Sequence, residues 1–399
     1  MNKLLTIVGA GQMGGMLAYN LLKKGRSVRV IDAGNKFSRE NNQTPWGWIR
    51  KFSLQSKLKK NLMVNKFPIS DIKVNQTYGP MLITSTKNKS IYAWDNWIQN
   101  NPETDSSILT PLEAYRIFDI NKDYFEGQGG VYVCDSRDYL IDYTILNNYV
   151  WDFMENHPNC ELIENCEIKS IITNKLNKAT HLLSTKGNIP IEKTVLTVGN
   201  QSQYVLDDNT PKLNITLPYT FISSISSKKY IALWNKNSCL NYFNNGDIKL
   251  SCGIQSILDL RQLNINLSLN FARMGLSGLS NIHINTSNET LINNAKKELK
   301  LLGINDDISF STIDSCNIDL TPNLCPYIYY VSHASNILNI NGFSGSGSMI
   351  IDTHFLDLII DSIDNSKLNS KLEPFQPSKS ILGNIFPPEI KQTPLSAII

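Results

Sequence analysis

The residues best suited to chemistry form a glycine-rich turn near the start of the chain, Gly9-Ala10-Gly11-Gln12-Met13-Gly14. A mostly apolar strand pattern, residues 4–8, precedes the turn and a helical pattern follows it. A second strand pattern, residues 27–31, ends directly before Asp32. This order predicts a strand, a tight turn, a helix and a parallel strand, with a pyrophosphate bound at the start of the helix. A carboxylate at Asp32 suits the hydroxyls of an adenosine ribose. The unit therefore predicts a dinucleotide site, and it leaves FAD and NAD both open.

Composition limits the class of protein. The chain has 399 residues, of which 41% are hydrophobic and 18% charged, so it suits two globular domains or one large body with an insertion. The net charge of +3 and the short Lys/Arg runs argue against nucleic acid as a partner. No apolar run reaches about 18 residues and no signal peptide is recognised, so no membrane partner is expected. Seven widely spaced cysteines without a CxxC pair predict a cytoplasmic protein without a metal site.

The distribution of apolar patterns predicts an α/β fold built from discontinuous segments. Strand, turn and helix patterns typical of a Rossmann-type dinucleotide domain occupy residues 1–85, 134–214 and 311–370. Alternating apolar and polar residues, typical of a mainly antiparallel sheet, occupy the segments assigned to an α+β substrate domain, residues 86–133 and 215–310. The proline-containing residues 371–399 are predicted to form an extended tail.

A second glycine-rich turn, residues 342–348, follows a predicted strand near the C-terminus. A simple NAD enzyme does not need such a turn, whereas it would cover the flavin end of FAD. Together with the strand Val195–Val198 and the segment Thr321-Pro322-Asn323, the turn resembles the flavin-dependent amine oxidase family of sarcosine oxidase, glycine oxidase and D-amino acid oxidase. The resemblance covers nearly the whole chain and is closest to the monomeric sarcosine oxidase branch.

This resemblance implies an FAD-binding domain with contacts drawn from several parts of the chain. The expected contacts are Gly9, Gly11, Gln12, Met13, Gly14, Asp32, Ala33, Trp48, Ile49, Arg50, Ile168, Val198, Gly199, Cys316, Gly342, Phe343, Ser344, Gly345, Ser346, Gly347, Ser348 and Met349. In the sarcosine oxidase branch a cysteine five positions before the Thr-Pro pair carries the flavin covalently. Cys316 stands in that position relative to Thr321, so the resemblance implies a covalent FAD; an ordinary half-buried cysteine is the alternative.

The resemblance also implies four catalytic residues, Arg50, Lys249, Ser346 and Met349. An arginine facing the flavin helps to hold the substrate carboxylate in the family, and the planar guanidinium of Arg50 suits bidentate pairing. A lysine on a strand of the substrate domain activates oxygen in family members, because a fixed positive charge stabilises developing negative charge. Lys249 suits that role. A surface arginine and a solvated strand lysine are the plain alternatives.

The second glycine turn differs from that of sarcosine oxidase at two positions. Ser346 and Met349 stand where that turn has a histidine and a lysine, and the lysine grips the substrate carboxylate. The difference argues against sarcosine as the substrate. It favours a larger, more apolar or differently charged amine, because a methionine makes the pocket wall apolar and adaptable.

The function implied by the resemblance is oxidation of the C–N bond of an amino acid or of a secondary or cyclic amine to an imine. Molecular oxygen would be the second substrate and peroxide a product, unless the enzyme is a dehydrogenase. Two alternatives stay open: an NAD-dependent dehydrogenase, whose fingerprint often has a methionine where Met13 stands, and a flavin-domain scaffold without activity. The chain could be a monomer or a homodimer.

Overall fold

The structure is a computed structural model that describes most of the chain between Leu4 and Pro377. The described residues are 4–36, 48–49, 76–85, 88–120, 124, 129–136, 138–206, 212–223, 232–234, 238–242, 247–252, 279–283, 289, 293, 296–297, 300, 310–321, 326–343 and 353–377.

These residues form strands and helices in the following order. The strands are β1 (Leu5–Val8), β2 (Val28–Ile31), β3 (Trp48–Ile49), β4 (Gln76–Tyr78), β5 (Met81–Ser85), β6 (Ser107–Leu109), β7 (Gly130–Val133), β8 (Tyr139–Ile141), β9 (Cys160–Ile163), β10 (Ile168–Thr173), β11 (Ala179–Ser184), β12 (Gly187–Pro190), β13 (Lys193–Leu196), β14 (Lys212–Ser223), β15 (Ala232–Trp234), β16 (Ser238–Tyr242), β17 (Asp247–Cys252), β18 (Leu279–His283), β19 (Phe310–Leu320), β20 (Tyr327–Val331) and β21 (Ala334–Asn341). The α-helices are α1 (Gln12–Lys23), α2 (Asn88–Gln99), α3 (Pro111–Phe118), α4 (Tyr143–Asn156), α5 (Ser202–Leu206) and α6 (Thr353–Asn365). Two short 3₁₀ helices are Gly199–Gln201 and Ser370–Phe375.

Six strands form a sheet in the order β20-β21-β13-β1-β2-β9. Neighbouring strands are parallel, except that β20 runs antiparallel to β21. The strand order turns at β1, which has β2 on one side and β13 on the other. Open parallel sheets bind ligands outside the carboxyl ends of their strands at such a switch point. The candidate site therefore lies beyond Val8, Ile31 and Leu196.

Helix α1 covers this sheet because its apolar residues recur at helical spacing. Leu17 and Leu21 are one turn apart and fully buried, and they belong to one apolar cluster with Ile7 and Val30 of the sheet. Helices α4 and α6 contribute to the same cluster. A second cluster includes Val8 together with apolar residues of β10, β11 and α5. Both faces of the parallel sheet are thus buried, as parallel sheets require.

A larger sheet contains all the described strands between residues 212 and 320, together with β5, β6 and β7. Its nine strands run in the order β18-β14-β17-β16-β15-β5-β7-β6, with β19 paired to β14. Its pairs are antiparallel except β14 with β18 and β15 with β5. The predicted fold class, a Rossmann-type domain joined to a mainly antiparallel sheet, is therefore confirmed. The predicted domain boundaries stay a proposal; β5, β14 and β19, which adjoin or cross them, all pair in this sheet.

Two local expectations are wrong. The sequence over residues 161–172 predicts a single strand that pairs with residues 181–184, but the chain leaves the parallel sheet after β9 and enters the antiparallel sheet β10-β11-β12. Asn165 lies between them with a left-handed φ of 48°, and its N–H donates to the carbonyl of Gly34, which turns the chain. The predicted tail also starts too early, because Leu372 and Phe375 are buried in the core and Asn369 caps their 3₁₀ helix. The rest of the predicted tail, from residue 378, lies outside the described residues.

None of the helices that the structure describes is both long and apolar enough to cross a membrane. The described His, Cys, Asp and Glu residues likewise form no group that could hold a metal ion.

Candidate functional site

The glycine turn after β1 combines two crowded positions with one open position. Gly9 has a φ of +90°, which favours glycine, and a Cβ added to it would lie 2.7 Å from the carbonyl oxygen of Thr197. A Cβ on Gly14 would lie 1.8 Å from the carbonyl oxygen of Gly9. A Cβ on Gly11, in contrast, would meet no atom within 4 Å. The turn thus packs tightly against the sheet at both ends and is open where a phosphate would approach.

The start of α1 has the properties of an anion site. Gly11 is the N-cap residue, no side chain caps the helix, and the first turn contains no acidic residue. The first N–H groups of an α-helix have no partner within the helix, and the helix dipole places partial positive charge there. The amides of Gln12, Met13 and Gly14 therefore suit the two phosphates of a dinucleotide such as FAD.

Asp32 lies at the end of β2, beside the glycine turn. Its carboxylate accepts hydrogen bonds from the N–H of Ala10 at 2.6 Å and from the N–H of Gly34 at 2.9 Å. Each oxygen of a carboxylate has about two acceptor positions, so an oxygen that accepts one backbone N–H can accept a second donor. The carboxylate can therefore orient the turn and also accept a ribose hydroxyl. Ala33, the other predicted contact here, is exposed.

The connection between β9 and β10 wraps around Asp32. The N–H of Asp32 donates to the carbonyl of Ile163, and the N–H of Cys166 donates to the carbonyl of Asp32 at 2.8 Å. Ile168, a predicted FAD contact, begins β10 and is buried in the cluster that contains Val8. The break in the predicted strand therefore lies directly beside Asp32.

Two further turns lie at the carboxyl ends of β13 and β21. Gly199 follows half-buried Val198 with a φ of +53°, and Gly342 has a φ of +69°. A Cβ on Gly342 would lie 2.4 Å from the methyl carbon of Thr321. The side-chain amide of Asn341 donates to the hydroxyl of Ser202 at 2.9 Å, and both residues are fully buried. This bond ties the end of β21 to the helix that follows Gly199.

Phe343, the next predicted contact, is half-buried and meets Phe355 of α6 edge to face, with ring centroids 6.3 Å apart. The residues on either side of Gly342 are therefore both packed, Asn341 against Ser202 and Phe343 against Phe355.

Several predicted site residues are described only as backbone, or not at all. For Trp48, Ile49, Lys249 and Cys316 the structure describes only the strands that contain them, β3, β17 and β19. Lys249 pairs with Phe221 and Asn241, and Cys316 pairs with Leu217. The predicted residues outside the described part of the chain are Arg50, Ser344, Gly345, Ser346, Gly347, Ser348 and Met349.

Sequence reasoning missed Thr197 as a site residue. Its hydroxyl lies 2.7 Å from the carbonyl oxygen of Gly9 and 2.9 Å from that of Val8. The available signal was a hydroxyl residue directly after the buried strand β13. It carried no spacing relation to the glycine turn, because Thr197 lies 188 positions after Gly9 in the chain.

Structures of known enzymes share this architecture over nearly their whole length. L-proline dehydrogenase from P. horikoshii is 14% identical with a TM-score of 0.72, covering 94% of this chain and 97% of its own. Glycine oxidase from Bacillus cereus is 12% identical with a TM-score of 0.70, covering 95% and 99%. The fructosyl amine oxidase Amadoriase I from Aspergillus fumigatus is 13% identical with a TM-score of 0.69, covering 96% and 91%. At these identities the likeness establishes the fold.

Sequence comparison is more specific about the family. No curated protein sequence matches the chain significantly. The family model described as "DAO: FAD dependent oxidoreductase" matches residues 5–236, which is more than half of the 399 residues and includes the glycine turn, Asp32 and Gly199. The dinucleotide of the family is FAD, and the chain belongs to the DAO family of FAD-dependent oxidoreductases.

Proposed function

We propose that this protein oxidises the C–N bond of an amino acid, or of a secondary or cyclic amine, to an imine. The observation that carries the proposal is the glycine turn after β1, which is open at Gly11 and leads into a helix without a side-chain cap. The turn lies at the switch point of the parallel sheet, within the residues that match the FAD-dependent family, in a chain that also forms a large, mainly antiparallel sheet. Chains with this architecture are named for proline, glycine and fructosyl amine as substrates, all of which contain a C–N bond next to a C–H. FAD supplies the two-electron acceptor for this chemistry.

Different elements of the site would bind different parts of FAD. The amides at Gly11 to Gly14 would hold the pyrophosphate, and Asp32 the adenosine ribose, for which the geometry above is suited. The turns at Gly199 and Gly342 would border the flavin, since they lie at the carboxyl ends of β13 and β21, on the other side of β1 from Asp32. The amine nitrogen must be neutral for its lone pair to form the C=N bond, so a site that excludes water would favour the reaction.

Substrate binding is assigned to Arg50, Ser346 and Met349, all outside the described residues. Arg50 would pair with a substrate carboxylate. With Met349 in place of a second cation, the carboxylate would be held by one charged group, and the pocket would accept more apolar bulk. We therefore expect larger, more apolar amines, such as proline-like or aromatic substrates, to react faster than sarcosine.

Oxygen activation is assigned to Lys249 of β17. Changing Lys249 to methionine should slow reoxidation of the reduced flavin by oxygen, while leaving its anaerobic reduction by substrate nearly unchanged. Equal effects on both half-reactions would contradict the assignment. The cytoplasmic location and oxygen as the second substrate are further parts of this proposal.

Covalent attachment of FAD is assigned to Cys316. Cys316 lies on β19, and the methyl carbon of Thr321, directly after β19, would lie 2.4 Å from a Cβ on Gly342, the turn that this proposal assigns to the flavin. Acid precipitation should therefore leave a yellow pellet for the native chain and a colourless pellet for Cys316→Ser. A colourless pellet from the native chain would contradict covalent attachment and leave the FAD assignment intact.

The decisive experiment is a panel of cyclic, N-alkyl and aromatic amino acids, with sarcosine included. Each amino acid is mixed with the holoenzyme without oxygen, and the flavin absorbance at about 450 nm is followed. Each mixture is then exposed to air and assayed for peroxide. Bleaching followed by peroxide supports an oxidase; bleaching with slow reoxidation but rapid dye reduction supports a dehydrogenase. If no amine bleaches the flavin, the proposed function is wrong.

A further inference from the structure

The peptide group between Gly9 and Ala10 is held from both sides. Its C=O faces the Thr197 hydroxyl, with Oγ1 at 2.7 Å from the Gly9 oxygen. Its N–H donates to Oδ2 of Asp32 at 2.6 Å. Thr197 follows β13 and Asp32 follows β2, and these strands are the two neighbours of β1. One peptide plane of the turn is therefore clamped by side chains from both flanking strands.

Of the two carbonyl oxygens within its reach, the Thr197 hydroxyl is expected to donate its hydrogen bond to that of Gly9. It also lies 2.9 Å from the carbonyl oxygen of Val8, but that oxygen already accepts the backbone N–H of Thr197 at 2.8 Å. The Gly9 oxygen faces Gly14, since a Cβ on Gly14 would lie 1.8 Å from it and 2.4 Å from the Thr197 hydroxyl oxygen. An oxygen in so crowded a position has little access to water, and a lost donor leaves it unsatisfied.

The orientation of this peptide controls the residues that meet the phosphates. Gly11 follows Ala10 directly and caps α1, and its carbonyl accepts the first helical hydrogen bond, from Gly15 at 2.8 Å. A rotation of the Gly9–Ala10 peptide would turn the next amides away from the position of the pyrophosphate. Binding sites whose donors are held in place bind more tightly than sites that must order on binding.

We propose that Thr197 is a positioning residue for FAD: its hydroxyl holds the Gly9–Ala10 peptide in the conformation that presents the amides of α1 to the pyrophosphate. The inference depends on FAD binding, which the family supplies, and not on the proposed oxidation of an amine.

The test compares the affinity of apoprotein variants for FAD, measured by quenching of flavin fluorescence on titration. All variants carry Cys316→Ser, so that the flavin dissociates whatever its native attachment. Thr197→Val removes the hydroxyl and keeps the shape, and we expect the dissociation constant for FAD to rise about tenfold. Thr197→Ser keeps the hydroxyl, and we expect a value close to that of the parent.

Thr194→Val is the matched control. Thr194 lies on β13, three residues before Thr197, and is 2% exposed, and its hydroxyl is buried without a partner among the described residues. The same substitution there should leave FAD affinity unchanged. An unchanged affinity in Thr197→Val would overturn the proposal, and so would an equal loss in Thr194→Val.

Thermal unfolding of the apoproteins separates positioning from general stability. A stability loss in Thr197→Val that Thr197→Ser shares, without any difference in FAD affinity between them, would also overturn the proposal. If Thr197→Val does not fold, the FAD affinity of Thr197→Ser decides between the two outcomes. An affinity tenfold weaker than that of the parent would show that the methyl group of Thr197, and not its hydroxyl, matters for FAD binding, and would overturn the proposal. A chain that binds FAD but oxidises no amine would contradict the proposed function and leave this test valid.

Discussion

Gly14 and Gly9 are in direct contact, with the Cα of Gly14 so close to the carbonyl oxygen of Gly9 that a Cβ would lie 1.8 Å from it. The same Cβ would lie 2.4 Å from the Thr197 hydroxyl oxygen. The third glycine of the turn is thus required by the packing of α1 on the sheet. The second glycine, Gly11, has open space instead.

This difference predicts opposite effects for two alanine substitutions. Gly14→Ala forces α1 away from β1 and should lower the free energy of unfolding of the apoprotein by about 3 kcal/mol or more. Gly11→Ala should lower that free energy by no more than about 1 kcal/mol, because alanine is a poorer N-cap residue than glycine. It should raise the FAD dissociation constant about tenfold, because its methyl group would occupy the position of the pyrophosphate. Urea denaturation of the apoproteins and FAD titration measure the two effects. A destabilised Gly11→Ala protein with normal FAD affinity would contradict this prediction.

Gly342 and Gly25 form a second pair with similar backbone and different surroundings. Their φ values are +69° and +71°, but a Cβ on Gly342 would lie 2.4 Å from the Thr321 methyl carbon, whereas one on Gly25 would meet no atom within 4 Å. Gly25→Ala should therefore cost only the left-handed strain of about 1 kcal/mol. Gly342→Ala should cost about 1–3 kcal/mol more, owing to the steric clash.

Denaturation of both variants measures this difference. The additional change Thr321→Ser removes the methyl group that meets the new Cβ. It should restore part of the free energy of unfolding lost in Gly342→Ala, and it should not restore any of the free energy lost in Gly25→Ala. An equal cost for the two glycines would show that the turn at Gly342 relaxes without loss.

The capping box of α3 predicts a pH-dependent contribution to stability. Glu113 accepts the N–H of Thr110 at 2.8 Å, and hydrogen bonds from the backbone and then the hydroxyl of Thr110 hold the pKa of Glu113 below its ordinary value of 4.5. A lowered pKa means that the stabilisation is complete above about pH 4.5 and is lost as the pH falls through the lower, folded-state pKa. Wild type should therefore be more stable than Glu113→Gln near neutral pH and lose that advantage in acid.

Urea denaturation at several pH values tests this. Thr110→Ala should lower the stability by about 1 kcal/mol at neutral pH, and Thr110→Ser, which keeps the hydroxyl, should not. A difference between wild type and Glu113→Gln that does not change with pH would contradict the assigned cause.

Cys160 should be a slow nucleophile in the folded protein. Burial first, and then the neighbouring charge of Glu161, raise the pKa of its thiol from 9.0 to about 11. Because only the thiolate reacts, alkylation near pH 8 should be about 100-fold slower in the folded protein than in denaturant. The raised pKa also means that folding stability falls as the pH rises from 9.0 to about 11.

Alkylation followed by peptide mapping isolates Cys160 from the other cysteines. Cys160→Ala is the control for the stability change, since it should lack the part of the alkaline decline that the thiol causes. Equal alkylation rates in the folded and denatured states would contradict the pKa shift.

Local pattern was sufficient to predict the first strand, the glycine turn, α1 and the second strand. Apolar residues 4–8, the three glycines and the acid after β2 predicted a strand, turn, helix and strand, and each was found within about one turn of its expected position. The N-cap residues Thr110 and Asp142 likewise stand directly before α3 and α4, where short polar residues favour a helix start. These features depend on residues close together in the chain, so the sequence contains the information directly.

Contacts between distant segments needed the tertiary structure. The sequence by itself determined a dinucleotide turn, a discontinuous α/β architecture and a resemblance to flavin oxidases. Only the tertiary structure placed Thr197 against Gly9, Asn341 against Ser202 and the break at Asn165 beside Asp32. Each of these pairs joins the carboxyl ends of strands far apart in sequence, and their proximity follows from strand order in the sheet. Strand order is set by how whole layers of helices and strands pack together, and a short sequence pattern contains no information about that packing.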